Sequence, residues 1–166
     1  GVRRVRRASG VATRVIALLA LLGVVAVGLL LWDASQRRGA EHAGAQALQA
    51  ARESIPDLFS YQPGTVDKVL PAAAQDRLTG KFLADYTQLL TTVVIPEAKR
   101  DAISASATVP AAGVVSADTG QAVVLAYVDQ SITVGKEGRP TQTNSSVRVT
   151  LNNVDGRWLI SGFDPI

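Results

Sequence analysis

Eighteen consecutive residues, Val15–Trp32 (VIALLALLGVVAVGLLLW), carry no charge and no strongly polar side chain. As a helix they would reach roughly 27 Å, close to the ~30 Å hydrocarbon core of a bilayer. A helix that lies on a soluble core keeps a polar face; this one is apolar on every side, which makes lipid its natural solvent. Gly23 and Gly28 weaken a helix in water but are ordinary in membrane spans. Trp32 ends the stretch where an amphipathic ring prefers the headgroup level. Whatever else the chain folds into hangs from one end of this segment.

The flanks set the expected topology. Arg3, Arg4, Arg6, Arg7 and Arg14 precede the span, whereas Arg37 and Arg38 follow it, diluted by Asp33 and Glu41. The positive-inside rule then places a basic arm, residues 1–14, in the cytoplasm and the rest outside, with Arg14 and Trp32 at the two membrane interfaces. A cleaved signal peptide has the same basic-then-apolar order. It requires a shorter apolar region of about 7–15 residues and a small-residue cleavage site. Here Trp32-Asp33 and Gln36-Arg37-Arg38 follow the span instead, so an uncleaved single-pass anchor in the cell membrane is expected. The paired arginines are weak as a twin-arginine signal. They are also more simply a topology signal than a nucleic-acid-binding arm. The chain begins at Gly1, so its natural N-terminus is open.

Charge misleads if read over the whole chain. The net charge is +3, but setting aside the five arginines of the arm leaves 12 Lys and Arg against 14 Asp and Glu. The external part is thus slightly acidic, and no nucleic-acid partner is expected. There is no cysteine, which excludes thiol and zinc-thiolate chemistry and requires an exported domain to fold without disulfides. The one histidine, His42, lacks neighbouring ligands and reads as a surface residue.

From Asp33 the helix is expected to continue as a stalk over residues 33–57, with Ala34, Ala40, Ala43, Ala47, Leu48, Ala51 and Ile55 as its small apolar face and Pro56 as its end. Residues 58–166 are the expected external domain. Thr65 can cap a short helix over Val66–Val69, and Pro71 can open the next, Pro71–Leu78. Thr79-Gly80 breaks it. A longer helix follows from Lys81, with Phe82, Tyr86, Leu89, Leu90, Val93 and Val94 on one face, before Pro96 kinks or interrupts it. After Ser104 the period changes from helix to strand. Ala105–Val115 reads as a strand with a bulge or edge at Pro110. Gln121–Val134 reads as a central strand. Thr143–Val154 alternates, with Val147, Val149 and Leu151 on one face. Asp155-Gly156 is a hairpin turn signal. Arg157–Phe163 closes the domain, with Trp158 and Ile160 on one face and Leu159 and Phe163 on the other. Helices first and strands later is an α+β order, and short connections favour a meander sheet in the order 1-2-3-4.

No phosphate loop, metal-ligand cluster or Ser/His/Asp arrangement is visible, so no catalytic residue, metal or cofactor is expected. Tyr86, Tyr127 and Asp129 are the polar residues to follow; Tyr127 and Asp129, two apart on one strand, share a face.

The order and spacing of several segments resemble the actinobacterial Mce-associated membrane proteins. These are Leu58-Phe59-Ser60-Tyr61, Leu78-Thr79-Gly80-Lys81-Phe82 with Tyr86, and Val114-Val115-Ser116. They continue with Ala122–Gln130 (AVVLAYVDQ), Val147–Leu151 (VRVTL) and Val154–Leu159 (VDGRWL). The resemblance implies a cystatin-like roll, similar to nuclear-transport-factor-2-like domains and to bitopic assembly proteins of type IV secretion. It implies a non-catalytic accessory subunit of an Mce-type lipid or sterol import complex, with permease and Mce proteins as partners. Rolls of this class hold a cone-shaped cavity between sheet and helices, which Tyr86, Tyr127 and Asp129 are candidates to line. The plainer alternative makes them core or rim residues. A lipid- or small-molecule-binding module, or an assembly component of a secretion-type complex, stands as the second functional reading.

Overall fold

The computed structural model describes the backbone of residues 6–166 and the side chains of Ala20 and of residues 22–166. Two compact units divide the chain, residues 1–39 and 40–166. The first helix, α1, runs Arg6–Phe59. In the first unit its described side chains are exposed, among them Leu22, Val24, Leu30, Leu31 and Trp32. The Ser35 hydroxyl donates to the Trp32 carbonyl at 2.8 Å, and Arg37 pairs with Asp33 one turn away at 2.9 Å. Among the described residues no helix is long and apolar enough to cross a membrane. The side chains of residues 15–19 and 21 of the expected span and of the basic arm with Arg14, and residues 1–5 altogether, lie outside what is described.

The second unit is an α+β roll. Three further helices follow α1: α2 (Val66–Arg77), α3 (Gly80–Leu89) and α4 (Ile95–Arg100), the last two joined by a π-helical turn, Leu90–Val94. Four strands then form an antiparallel sheet in the order β1-β2-β3-β4: β1 Ile103–Ala117, β2 Gln121–Val134, β3 Thr141–Val154 and β4 Arg157–Pro165. This is the expected meander, and each connection is a short one between neighbours.

The core lies between the helices and one face of the sheet. Ala43, Ala47, Ala51, Ile55 and Leu58 of α1 are buried at helical spacing. Opposite them stand Ala122, Val124, Ala126 and Val128 of β2 with Val147, Val149 and Leu151 of β3. The period-two alternation that marks β3 in the sequence is the period of burial in the fold. Alanines on both α1 and β2 let helix and sheet approach closely. At Gly44 an added Cβ would meet the Ala117 Cβ at 3.3 Å and the Val114 Cγ1 at 3.4 Å. The Asp155-Gly156 turn has positive φ at both residues, 51° and 84°, as a two-residue hairpin of type I′ requires.

Four expectations are corrected, three of them at prolines. Pro56 does not end α1, which continues to Phe59. The proline costs α1 the one ladder bond its N–H would give to the Arg52 carbonyl, and the helix runs on through buried Leu58. Pro71 lies inside a single helix, α2, rather than opening a second one. Here buried Val66, Leu70 and Ala74 hold both halves in one frame. Before Pro96 the chain widens into the π turn, where the Ile95 N–H donates to the Leu90 carbonyl. That widening rotates the apolar stripe, so Leu89 and Val93 are exposed while Leu90 is buried. Finally, Phe163 does not share a face with Leu159. The register shifts by one residue where Ile160 and Gly162 pair with Leu151 and Thr150. This bulge at Ser161 turns Phe163 toward the helices, where its ring lies 5.2 Å from Phe59 and stacks at 7° on Phe82.

Candidate functional site

The residues singled out in the sequence do not converge. Tyr86 is buried in the core, and its hydroxyl donates to the Leu58 carbonyl. Burial pushes its pKa upward, with nearby Tyr61 adding to the shift. Tyr127 lies on the opposite face of the sheet and is half exposed. Asp129 shares that outer face and accepts a hydrogen bond from the Asn144 amide on β3. Tyr127 and Asp129 are thus brought together across a face that Tyr86 does not reach. The inner space between sheet and helices is occupied by Ile55, Leu58, Leu70, Val124, Leu151 and Ile160, each at most 2% exposed.

One concave feature of the second unit is a surface groove of about 500 Å³. One wall is the α1 face bearing His42, Gln46, Gln49 and Glu53; the other is the start of β4 with the end of α2. Trp158 forms part of its floor, and its indole N–H donates to the Gln46 Oε1 at 3.3 Å. This bond fixes a buried aromatic against α1 while leaving its edge in the groove. Arg157 reaches from β4 to α2, donating to the Asp76 Oδ1 at 2.6 Å and to its carbonyl at 2.9 Å. Arg77 is the most enclosed of the groove's ions. It donates to Asp57 at 2.9 Å and pairs with Asp76 at 3.3 Å and Glu53 at 3.8 Å. The rim is therefore a ladder of alternating charge around an apolar floor.

Sequence reasoning puts Trp158 on one strand face with Ile160 and reads His42 as a surface residue, but does not reach the groove. Arg157, Asp76 and Gln46 are separated by long stretches of chain, and their only local signal is the Asp155-Gly156 turn that sets Arg157 beside α2. Among the described residues no three His, Asp or Glu side chains lie close enough together to hold a metal ion. Chemically the arrangement can bind: an apolar platform with paired charges of both signs receives an amphipathic surface.

The fold defines a class: an α+β roll with helices packed on one face of a four-stranded antiparallel meander. Searched against protein-family models, the chain matches none. Three solved structures share the roll. An IcmL-like type IV secretion system protein from Legionella pneumophila aligns with a TM-score of 0.61 at 12% identity, covering 74% of this chain and 92% of that one. CagV, a VirB8 homologue from Helicobacter pylori, aligns at 0.54 and 10% identity, covering 73% and 96%. A nuclear transport factor 2-like protein from Salmonella enterica aligns at 0.52 and 11% identity, covering 74% and 91%. The fold is thus NTF2-like. In sequence, the chain is 51% identical over 148 residues to the outer membrane protein Rv1973 of Mycobacterium tuberculosis, covering 89% of this chain and 91% of that protein. The chain belongs to the family of that protein.

Proposed function

We propose that this protein is a non-catalytic accessory subunit of a cell-envelope complex, anchored by its N-terminal apolar stretch and docking through its roll. The observation that carries the reading is the placement of space in the second unit. The interior is filled by the protein's own large aliphatic side chains, and the space lies in surface concavities, among them an open groove with an apolar floor and a charged rim. That is the form of a surface that receives another macromolecule rather than one that encloses a small substrate. The name of the relative, outer membrane protein, supports an envelope location.

The finer reading is that the complex is of the Mce lipid or sterol import type, with permease and Mce subunits as partners. It rests on the sequence resemblance described above. A single-pass topology with a cytoplasmic N-terminus rests likewise on the arginine asymmetry around the apolar stretch. One observation favours a second reading, a secretion-type assembly role. The roll is shared with an IcmL-like type IV secretion protein and with CagV.

The test is mild-detergent extraction of the tagged full chain from fractionated cytoplasmic and outer membranes, followed by mass spectrometry of proteins and lipids. Permease and Mce subunits in the eluate are the expected result. Secretion-channel subunits in their place would move the assignment to the second reading. A stoichiometric lipid with no protein partner would overturn both and identify a lipid-binding module.

A further inference from the structure

α1 enters the second unit beside the end of β1, where Gly44 packs on Val114 and Ala117. At the opposite end of the roll four connections meet. The turn Gln62–Gly64 after α1, the last turn of α4, the start of β1 and the end of β2 border a cleft of about 590 Å³. Two left-handed residues shape it. Ala102, between α4 and β1, has φ 51°, and Gly135, just past β2, has φ 80°. The Gly135 N–H is shared between the Asp101 and Ala102 carbonyls, at 3.1 Å each, which fixes the exit from β2 against the entry to β1. A left-handed alanine is uncommon, and such residues persist where their surroundings hold them.

The lining of this cleft is cationic. It holds Lys99 of α4 and Lys136 after β2, and no aspartate or glutamate, although acidic residues outnumber basic ones over residues 40–166. Among the described residues Lys136 has no ion-pair partner. Lys99 donates to Asp67, which lies outside the lining, at 2.5 Å. That bond uses one of the three donors of the ammonium group. Ser104 and Thr133 are partners across β1 and β2, so their side chains lie on one face and bring two hydroxyls to the cleft. Pro63 and Ala102 give the rest of its wall an apolar surface.

We propose that this cleft binds a phosphomonoester, with Lys136 and Lys99 meeting its charge and the Ser104 and Thr133 hydroxyls donating to its oxygens. Two lysines without an arginine select the shape of the anion. A planar carboxylate is matched by the arginine fork, whereas ammonium groups are point charges that approach a tetrahedral oxyanion from separate sides. A phosphomonoester carries about −1.5 to −2 charges near neutral pH, which two lysines balance. The cleft is much larger than one phosphate group, so the group that carries the phosphate lies over Pro63 and Ala102. A soluble polyol phosphate and a lipid headgroup present this same chemistry. The cleft shares no lining residue with the Trp158 groove, so it binds independently of any partner docked there.

The test has two arms. In the first, the full chain in neutral detergent is titrated calorimetrically with glycerol 3-phosphate, and with glycerol at matched ionic strength as the control. In the second, the full chain in phosphatidylcholine nanodiscs is cosedimented with phosphatidylcholine vesicles with and without phosphatidic acid, whose headgroup is a phosphomonoester. Saturable binding in at least one arm is expected. It is expected to weaken about tenfold in Lys136→Ala and to stay unchanged in Lys81→Ala, whose ammonium pairs with Asp85 on α3 outside the cleft. The arginines of the basic arm are common to all three proteins, so the comparison cancels their attraction for anionic vesicles. Binding of glycerol 3-phosphate identifies a soluble carrier; binding of phosphatidic acid alone identifies a lipid. Lys136 is exposed, and a melting curve for each variant checks the fold. No saturable binding in either arm, equal binding of glycerol, unchanged affinity in folded Lys136→Ala, or an equal loss in Lys81→Ala would each overturn the site.

Discussion

The Tyr86 hydroxyl donates to the backbone carbonyl of Leu58, joining α3 to the last turn of α1. The final four carbonyls of a helix have no partner within it, and Leu58 is buried where water does not serve as one. Removing the hydroxyl leaves that acceptor unpaired at little change in volume. Tyr86→Phe is expected to lower the unfolding free energy by about 1–3 kcal/mol, read from chemical denaturation of the full chain. A loss near zero would mean that the carbonyl finds another donor.

The same bond gives the fold an alkaline limit. Burial raises the Tyr86 pKa above the ordinary 10.0, and Tyr61 is raised by its own burial and then by Glu97. Above pH 10 the unfolded chain has released these protons while the folded chain retains them, so the folded state binds more protons and stability falls as pH rises. Below the unfolded pKa the contribution is fully present. The Tm is expected to hold to about pH 9.5 and then decline, and Tyr86→Phe is expected to decline less steeply over the same range.

What can be read from the chain and what cannot divide along the range of the interactions. The inward set of β3, Val147, Val149 and Leu151, and the Asp155-Gly156 hairpin are local patterns, and the sheet order follows from short connections. Phe163 departs from its expected face because a bulge at Ser161 is a property of two paired strands and leaves no mark on one. The prolines mislead for a related reason. Pro56 and Pro71 weaken a helix locally, but Leu58, Leu70 and Ala74 are held by tertiary burial, which is larger. The groove is illegible in the sequence because Gln46, Asp76 and Arg157 meet only when α1, α2 and β4 are folded together. Strand periodicity suffices to put Tyr127 and Asp129 on one face; which face requires the sheet to have an inside.

Gly44 marks how closely α1 approaches β1. A methyl group there would sit 3.3 Å from the Ala117 Cβ, tight enough to offset much of the roughly 1 kcal/mol that alanine gains over glycine in a helix. Gly44→Ala is therefore expected to change stability by less than about 1 kcal/mol, whereas Gly44→Leu must push α1 off the sheet and is expected to cost about 1–3 kcal/mol. Thermal denaturation of the pair checks the contrast; equal stability would show that the helix moves away freely.

Phe163 ties the end of β4 to both α1 and α3, through Phe59 at 5.2 Å and Phe82 at 6.4 Å. It is only partly buried, so Phe163→Ala is expected to cost about 2–3 kcal/mol, below the range for a fully buried ring. Phe163→Leu should recover part of that loss in the same denaturation assay. No recovery would assign the effect to ring stacking rather than to apolar volume.

Arg157 separates docking from stability. Its guanidinium and the Asp76 carboxylate are both more than half exposed, at 59% and 55%, so their pairing contributes at most about 1 kcal/mol to folding. Its place on the groove rim, beside Trp158, is where a charged contact would orient a partner and speed its capture. Arg157→Ala is expected to leave the Tm within a few degrees of the parent while reducing recovery of partner subunits in the detergent pull-down. A lysine in its place keeps the charge but not the guanidinium Nη2, whose two protons serve the Asp76 carboxylate and carbonyl together. Arg157→Lys is therefore expected to fall between the two. If recovery follows Tm across the three proteins, Arg157 acts through the fold alone. If recovery is unchanged in a folded Arg157→Ala, partners dock elsewhere on the roll.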